Sequence, residues 1–331
     1  MKTKTLAILG AGSWGTAVAI HLAHANHRVL LWARDSTHVQ TMQQQKENAR
    51  YLPNIIFPKS LLPTDNLDFC LKEAEQLIIA VPSHAFTALF DSIKKRITQP
   101  GIAWLTKGVD PLTHAFFSDI VADRLGKDFP MAILSGPSFA NEVAREIPTA
   151  LIFSGNNTAY LQTLRNLINQ NTLRAYFNHD MIGVQICGAI KNVLAIACGM
   201  SDGLNYGANT KAALITRGLA EMTRLGLALG AQQQTFLGLA GVGDLVLTCT
   251  DNQSRNRRFG LLLGQGVDAP DAVKRIGQVV EGQHNAAQIC AIAKTIGVEL
   301  PICTEVDHVL NGRLTPQQAA KNLMERPLRD E

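Results

Sequence analysis

The side chain best suited to acid–base chemistry is Lys191, which interrupts the run ICGAIKNVLAIA at residues 186–197. This run is apolar on nearly every face of a helix, a pattern typical of a helix that is buried all round. Lysine is seldom buried without a functional reason. Desolvation disfavours its charged form, which makes it a usable proton donor and acceptor near neutral pH. The alternative is a long stem that carries the ammonium group to the surface.

Two segments farther along the chain carry further charged side chains. A Gly-Val-Gly-Asp segment ends at Asp244 and is no dinucleotide loop, because no strand precedes it and its spacing differs. Asp244 therefore fits either a functional site or the cap of a turn. Residues 251–258 are polar and basic, as a solvated helix end is. Arg255 nevertheless supplies, with Ser254 and Asn256, the planar fork and polar groups that suit a phosphate.

A third group of polar residues directly follows predicted strands. In an open α/β sheet, ligands bind beyond the carboxyl ends of the strands, so Lys107 and the segment 135–138 are expected at the ligand cleft. The alternatives are a solvated lysine and a plain turn. Gly108 allows the chain to turn after Lys107. Ser138 fits two roles that are compatible, because it could also cap a helix over residues 139–145, and a helix start offers N–H groups to an anion.

The most specific local motif is TLAILGAGSWG at residues 5–15, an apolar strand that leads into G-x-G-x-x-G. Gly10 permits the tight turn, Gly12 lets the backbone approach a pyrophosphate, and Gly15 lets the next helix pack closely. A mostly apolar helix and a second apolar strand follow within the length of one βαβ unit. The motif predicts a dinucleotide whose pyrophosphate lies at the helix N-terminus.

The residues after the second predicted strand bear on which dinucleotide binds. An acidic residue about 20 positions beyond the glycine motif normally binds the ribose 2′-hydroxyl, whereas an arginine accommodates a 2′-phosphate. Arg34 and Asp35 stand side by side at this point. Because Arg34 comes first, we expect NADPH to be favoured, with NADH as the alternative.

These residues need a scaffold, and the hydrophobic pattern predicts one in two parts. Short apolar runs typical of buried parallel strands recur at 76–81, 102–106, 131–134, 149–153 and 173–177, with helical stretches such as 85–97 and 159–169 between several of them. Long helical stretches then follow at 181–200, 209–229, 232–239, 269–276, 284–295, 305–311 and 316–324. We predict an α/β protein, with an N-terminal Rossmann-type doubly wound sheet over residues 1–180 and an all-α domain over residues 181–331.

Composition narrows the class of protein. The length of 331 residues exceeds one hydrophobic core and suits two domains. A net charge of +4 without a dense basic tract argues against nucleic acid, and the apolar runs are too interrupted for a membrane span. The six cysteines have no zinc-site spacing, so we expect reduced thiols, no metal and a cytoplasmic protein. A loose secretory-signal pattern ends at Ala25, but cleavage there would remove the glycine loop.

Together these motifs resemble the NAD(P)-dependent glycerol-3-phosphate dehydrogenases. The resemblance rests on segments that occur in order along nearly the whole chain: GAGSWG at 10–15, Lys-Gly at 107–108, SGPSFA at 135–140, GAIKN at 188–192, GVGD at 241–244, SRNR at 254–257 and VEG at 280–282. The segment 188–199 is the most specific of them.

The resemblance implies a role for each motif residue. Lys191 would be the proton acceptor in alcohol oxidation. The glycerol phosphate would be held by Lys107, Gly136, Ser138, Lys191, Asp244, Ser254, Arg255 and Asn256. The dinucleotide site would comprise the loop residues Gly10, Gly12, Ser13, Trp14 and Gly15 together with Arg34, Lys107, Ala140, Arg255, Val279 and Glu281. Trp14 is expected to pack against the cofactor, core packing being the alternative.

The reaction expected from this resemblance is reversible hydride transfer between NAD(P)H and dihydroxyacetone phosphate. The product, sn-glycerol 3-phosphate, would feed phospholipid synthesis, and the enzyme is expected to be a homodimer. Lys191 would donate the proton, Lys107 would orient the substrate and Arg255 would clamp its phosphate. The alternatives are another two-domain reductase, of the ketopantoate or 6-phosphogluconate type, and a non-catalytic dinucleotide sensor, which would leave the interior position of Lys191 unexplained.

Overall fold

The chain folds into two compact units. The computed structural model describes residues 3–170 and 172–327. One unit comprises Met1–Asp110 and Ala115–Met181, and the other comprises Pro111–His114 and Ile182–Glu331. Each unit has its own secondary structure and is described separately.

The first unit alternates strands and helices. Its strands are β1 (Thr5–Leu9), β2 (Arg28–Trp32), β3 (Glu47–Asn48), β4 (Leu52–Ile56), β5 (Leu61–Thr64), β6 (Gln76–Ile79), β7 (Ile102–Trp104), β8 (Met131–Ser135), β9 (Thr149–Gly155) and β10 (Leu173–Asn178). Its helices are α1 (Ser13–His24), α2 (Ser36–Gln45), α3 (Leu67–Glu73), α4 (Ser83–Ile93), α5 (Phe117–Leu125), α6 (Ala140–Ala144) and α7 (Thr158–Ile168), with a 3₁₀ turn at Lys94–Arg96. Apart from β3, β4 and β5, the strands are those that the apolar runs predict.

Eight strands of the described residues form one sheet in the order β10-β9-β8-β7-β6-β1-β2-β5. The central strand β1 is parallel to β2 on one side and to β6 on the other, with Leu9 level with both Trp32 and Ile79. The chain thus leaves β1 in one direction for β2 and later in the other for β6. The carboxyl end of β1 is the topological switch point at which such sheets bind ligands.

The far side of the sheet departs from the expected parallel order. Strand β9 is antiparallel to β8, whereas β10 is parallel to β9. A parallel connection needs a crossover of about a dozen residues or more, usually with a full helix. The link from β8 to β9 contains only the five-residue helix α6, so the chain reverses direction instead.

Three further strands lie where the sequence predicts none. Strands β3 and β4 form a separate antiparallel pair, and β5 extends the sheet as the partner of β2. Pro63 lies within β5, opposite Leu31. Proline is tolerated in an edge strand because its missing N–H can face outward. A proline within an apolar run also weakens the sequence signal for a strand, so β5 is not predicted from the sequence.

The second unit is helical in its described residues. Its helices are α8 (Met181–Gly203), α9 (Gly207–Ala228), α10 (Gln233–Phe236), α11 (Asp244–Thr250), α12 (Arg255–Gly264), α13 (Ala269–Ile276), α14 (Glu281–Thr295), α15 (Pro301–Leu310) and α16 (Pro316–Met324). The helix expected over 232–239 is wrong in its second half, because α10 ends at Phe236 and a wide π-type turn begins at Leu239. Helices α11 and α12 are short and partly polar, and the apolar period does not predict them.

Helix α8 is the core of this unit. By length and composition it could cross a membrane, and 89% of its apolar window is buried inside the protein. Helix α12 packs directly on it: a Cβ at Gly199 would lie 2.0 Å from the Arg257 carbonyl oxygen, and one at Gly260 would lie 2.1 Å from that of Ile196. Glycine at both positions lets the backbones touch, so α12 packs against the C-terminal half of α8.

Candidate active site

The glycine loop after β1 has the geometry of a phosphate cradle. Gly10 has a φ of +132°, and a Cβ there would lie 2.5 Å from the Ala80 carbonyl oxygen. A Cβ at Gly15 would lie 2.1 Å from the Gly10 carbonyl oxygen. Gly12 differs, because a Cβ there would meet nothing within 4 Å. The fold itself requires Gly10 and Gly15, whereas the open space beside Gly12 fits a pyrophosphate at the start of α1.

The Gly12→Ala variant is expected to fold normally and to bind dinucleotide poorly. Gly12 precedes α1 with a φ of −75°, which alanine adopts, and the capping loss is at most about 1 kcal/mol. The added methyl would occupy the pyrophosphate space, and overpacking of roughly 1–3 kcal/mol corresponds to a 5- to 150-fold loss of NADPH affinity. Thermal unfolding and NADPH fluorescence titration measure the two effects. An unchanged affinity would remove Gly12 from the pyrophosphate site.

The loop residues Ser13 and Trp14 are already engaged with the protein. The Ser13 hydroxyl donates to the Tyr51 carbonyl at 2.8 Å. Trp14 is half-buried and packs against the hydrophobic core of the first unit. Both residues lie at the start of α1, as a dinucleotide site requires, and contact of Trp14 with a cofactor stays a prediction.

The two candidate residues for cofactor selectivity, Arg34 and Asp35, follow β2 and have different environments. The Asp35 carboxylate caps α2 by accepting from the His38 backbone N–H at 3.2 Å. Arg34, one residue earlier, is exposed. The Asp35 carboxylate is thus held as a helix cap, while the Arg34 side chain is open to solvent.

Lys107, Gly136 and Ser138 come together in the first unit. The Lys107 ammonium donates to the Gly136 carbonyl at 3.4 Å, and the Ser138 hydroxyl donates to the same oxygen at 3.2 Å. Ser138 is not a helix cap, because Phe139 precedes α6 and Ala140 begins it. The three residues stand at the carboxyl ends of β7 and β8, where the sheet rule places ligand-binding groups.

The second unit contains a buried ion pair at Lys191. The Lys191 Nζ donates to Asp244 Oδ1 at 2.5 Å and to Thr248 Oγ1 at 3.0 Å. Lys191 is 6% exposed and Asp244 is 1% exposed, so the surface-directed alternative for the lysine is wrong. A carboxylate in contact favours the charged form of the amine, whereas burial disfavours it. The sequence alone indicates only the effect of burial, and the contact with Asp244 opposes it.

A backbone kink delivers Asp244 to the lysine. Gly241 has a non-helical backbone conformation, and a Cβ there would lie 2.1 Å from the Phe236 carbonyl oxygen. The kink ends at Asp244, the first residue of α11. Thr248 lies one turn later, and its hydroxyl donates to the Asp244 carbonyl at 2.6 Å. The Thr248 hydroxyl oxygen therefore keeps a lone pair to accept the hydrogen bond from Lys191 Nζ.

Thr248 is a site residue that sequence reasoning missed. The signal available was its spacing of four residues from Asp244, which places both side chains on one face of a helix. That signal needs α11 to be recognised first, and α11 is too short for a clear apolar period.

A buried thiol, that of Cys249, borders the ion pair without adding charge to it. Contact with Cys198 and burial raise the pKa of the Cys249 thiol, and the Asp244 carboxylate adds to the rise while Lys191 opposes it. A thiol with a raised pKa stays protonated at neutral pH. In the part of the chain that the structure describes, no cluster of His, Cys, Asp or Glu could hold a metal ion.

The start of α12 presents the candidate phosphate ligands. Ser254 caps the helix, its hydroxyl accepting from the Arg257 backbone N–H. The Arg255 Nη1 donates to Gln278 Oε1, a neutral partner, at 3.2 Å. Burial lowers the pKa of the Arg255 guanidinium and the nearby Glu281 raises it. Arginine remains protonated in proteins, so a partly buried positive charge lies here, suited to an anion.

Asn256 connects three helices. Its Nδ2 donates to Asn192 Oδ1 at 3.0 Å, and its Oδ1 accepts from the Gly282 backbone N–H at 2.9 Å. Asn192 is the neighbour of Lys191 on α8, and Gly282 belongs to the first turn of α14. Asn256 therefore holds the starts of α12 and α14 against the lysine-bearing helix, and its contact with substrate stays a prediction.

The remaining cofactor candidates lie at the start of α14. Glu281 is its first residue, and Val279, two positions earlier, is 36% exposed. The contacts of Asn256 and Arg255 with this region bring four of the predicted residues, Arg255, Asn256, Val279 and Glu281, to one end of the helical unit. Arg255 and Asn256 are more than 20 positions away from Val279 and Glu281 in the sequence, so the sequence alone does not reveal that they lie close together.

Comparison with known proteins gives consistent matches over both units. The family model "NAD-dependent glycerol-3-phosphate dehydrogenase N-terminus" matches residues 5–161, and the corresponding C-terminus model matches residues 180–321. A glycerol-3-phosphate dehydrogenase [NAD(P)+] from Legionella pneumophila is similar, with 61% identity over 331 residues that cover 100% of both chains.

Solved structures agree with the sequence matches. The crystal structure of a glycerol-3-phosphate dehydrogenase from Coxiella burnetii superposes with a TM-score of 0.95 at 48% identity, and the match covers 98% of this chain and 99% of that one. A PanE/ApbA family ketopantoate reductase from Ralstonia eutropha superposes with a TM-score of 0.61 at 16% identity, covering 96% and 99%. The second likeness shows a shared fold alone.

Proposed function

This chain belongs to the NAD-dependent glycerol-3-phosphate dehydrogenase family of oxidoreductases, and we propose that it interconverts dihydroxyacetone phosphate and sn-glycerol 3-phosphate. The observation that carries the proposal is the buried Lys191–Asp244 pair. A buried, hydrogen-bonded ammonium is a proton source with no evident role in stability, since a buried ion pair stabilises a fold little compared with apolar side chains.

A nicotinamide dinucleotide fits the first unit. The open space at Gly12 and the turn at Gly10 support a pyrophosphate site, and Ser13, Trp14, Gly15, Ala140, Lys107, Arg255, Val279 and Glu281 are the other residues proposed for the dinucleotide. When bound, the reduced dinucleotide supplies the hydride. NADPH is the proposed preference, supported by exposed Arg34 and by Asp35 acting as a helix cap.

Lys191 is the proposed proton donor in ketone reduction and the acceptor in alcohol oxidation. As negative charge develops on the C2 oxygen of the ketone, the Lys191 ammonium stabilises that charge and passes its proton to the oxygen. Asp244 keeps the amine oriented and favours its protonated form, and Thr248 fixes it from a second direction. Lys107 is proposed to orient and polarise the same substrate.

Phosphate binding is the proposed role of the α12 start. Arg255 offers a planar fork suited to two phosphate oxygens, with Ser254 and Asn256 beside it, and Gly136 and Ser138 are the proposed ligands from the first unit. Energy from binding the unreactive phosphate then orients the reacting carbon. This assignment rests on the chemistry of the side chains and on the family resemblance.

The proposed setting is glycerophospholipid precursor supply in the cytoplasm, by a homodimer. All six cysteines are free thiols, which fits a reducing compartment. The dimer and the pathway are supported by the family resemblance alone.

A steady-state assay tests the activity directly. With dihydroxyacetone phosphate we expect oxidation of both reduced dinucleotides and a higher kcat/KM with NADPH than with NADH. The comparison substrates are ketopantoate, assayed with NADPH, and 6-phosphogluconate, assayed in the oxidative direction with NADP+, and neither of them should support turnover. Turnover with one of these instead would assign another reductase activity, and NADPH binding without oxidation of any ketone would indicate a sensor.

A further inference from the structure

A turn between β3 and β4 is clamped onto the glycine loop. The Tyr51 N–H donates to the Asn48 carbonyl at 3.1 Å and closes the turn. Asn48 is fully buried, and its Nδ2 donates to the Ala11 carbonyl at 2.9 Å and to Thr16 Oγ1 at 2.8 Å. The Ser13 hydroxyl holds the other end of the turn through the Tyr51 carbonyl. Both ends are thus fixed to the pyrophosphate loop itself.

Arg50 projects from the middle of this turn toward the end of β2. Its Nη1 lies 4.0 Å from Asp35 Oδ2, and its guanidinium lies 5.2 Å from the centroid of the Tyr51 ring. The Tyr51 ring is in turn held edge-on against His38 at 5.5 Å. Arg50 is therefore oriented beside Asp35, the neighbour of Arg34, while its side chain stays 63% exposed and open to a ligand.

Stability does not account for this arrangement. An exposed ion pair such as Arg50–Asp35 contributes little to folding, whereas the buried tethers at Asn48 fix the turn without any help from the guanidinium. The effect of the Arg50 side chain is on the local electrostatic potential. The guanidinium places a positive charge beside Asp35, the residue after Arg34, and opposes the negative charge of that carboxylate, which would otherwise repel a phosphate at this point.

We propose that Arg50 is a specificity-determining residue that binds the 2′-phosphate of NADP(H) together with Arg34. The proposal rests on the proposed function, since it takes the glycine loop to be the dinucleotide site. A phosphate monoester carries close to two negative charges at neutral pH and accepts several charge-assisted hydrogen bonds. Two guanidinium groups from separate segments match that charge, whereas the cofactor lacking the 2′-phosphate offers them only a neutral 2′-hydroxyl.

The test compares ligands with and without the 2′-phosphate on the same protein. Isothermal titration calorimetry compares 2′,5′-ADP with 5′-ADP, and fluorescence titration compares NADPH with NADH. Both measurements are made on the unmodified protein and on Arg50→Gln. We expect Arg50→Gln to weaken 2′,5′-ADP and NADPH by roughly 10- to 100-fold, the loss typical of one charge-assisted contact, and to leave 5′-ADP and NADH unchanged. Arg34→Gln should produce the same selective loss.

The matched control is Arg96→Gln. Arg96 also makes an exposed pair with an aspartate, Asp68, at 2.8 Å in the same unit, so the substitution changes charge and surface ion pairing equally, and NADPH affinity should not change. Equal losses for ligands with and without the 2′-phosphate in Arg50→Gln would overturn the proposal. Failure of the unmodified protein to bind either dinucleotide would instead overturn the proposed function, so the two failures are distinguishable.

Discussion

Lys191→Met is expected to lower turnover of dihydroxyacetone phosphate by roughly 10²- to 10⁴-fold, the usual contribution of a positioned proton donor. Methionine approximates the length and volume of the lysine stem and removes the transferable proton. NADPH affinity should not change, because Lys191 is not among the candidate dinucleotide residues. Steady-state kinetics and NADPH fluorescence titration measure the two quantities, and near-normal turnover would refute the assignment.

Stability must be separated from catalysis in this variant. Removing the ammonium leaves Asp244, which is 1% exposed, as an uncompensated buried charge, and breaking a buried pair in this way costs about 3–5 kcal/mol. The double variant Lys191→Met with Asp244→Asn removes both charges and should recover much of that loss in thermal unfolding. Turnover should stay low, because no proton donor returns.

Lys211→Met is the matched control for the lysine. Lys211 belongs to the same unit and pairs with an aspartate, Asp202, at 2.8 Å, and Arg257 remains beside that carboxylate when the lysine is lost. We expect turnover close to that of the unmodified chain. A loss equal to that in Lys191→Met would show that ion pairing in the helical unit, and not the Lys191 proton, limits the reaction.

The lysine itself could be predicted from sequence, because one charge in a helix that is apolar all round is informative in itself. Its partner could not. Asp244 follows Lys191 by 53 positions, and the contact depends on the kink at Gly241, a backbone conformation that local propensity does not specify. From the sequence alone, Asp244 is equally compatible with the cap of a turn and with a functional site, and the structure shows its carboxylate hydrogen-bonded to Lys191.

The sheet likewise has strands that could be predicted from the sequence and strands that could not. Apolar runs identify β1, β2 and β6 because these strands are buried on both faces and read as continuous hydrophobic segments. Strand β5 at the edge is interrupted by Pro63, and the direction of β9 depends on how short α6 is, so neither follows from local hydrophobicity. The turn that carries Arg50 is likewise held by long-range tethers from Asn48, and no motif points to it.

Arg255→Ala is expected to weaken both dihydroxyacetone phosphate and NADPH, by roughly 10- to 100-fold for the substrate, since hydrogen bonds to charged groups contribute about 1.5–3 kcal/mol. The loss should appear in KM more than in kcat, because the phosphate is remote from the reacting carbon. Arg255→Lys keeps the charge and loses the fork, and an intermediate affinity is expected for it.

Arg258→Ala is the matched control on the same helix, because Arg258 is exposed and its removal changes the charge of α12 equally. If charge near the helix start were sufficient to attract the phosphate, the two alanine variants would lose substrate affinity alike, with the same dependence on salt. If the half-buried guanidinium of Arg255 binds the phosphate directly, Arg255→Ala alone is affected and its loss persists at high salt. Unchanged substrate affinity in Arg255→Ala would remove this residue from the phosphate site.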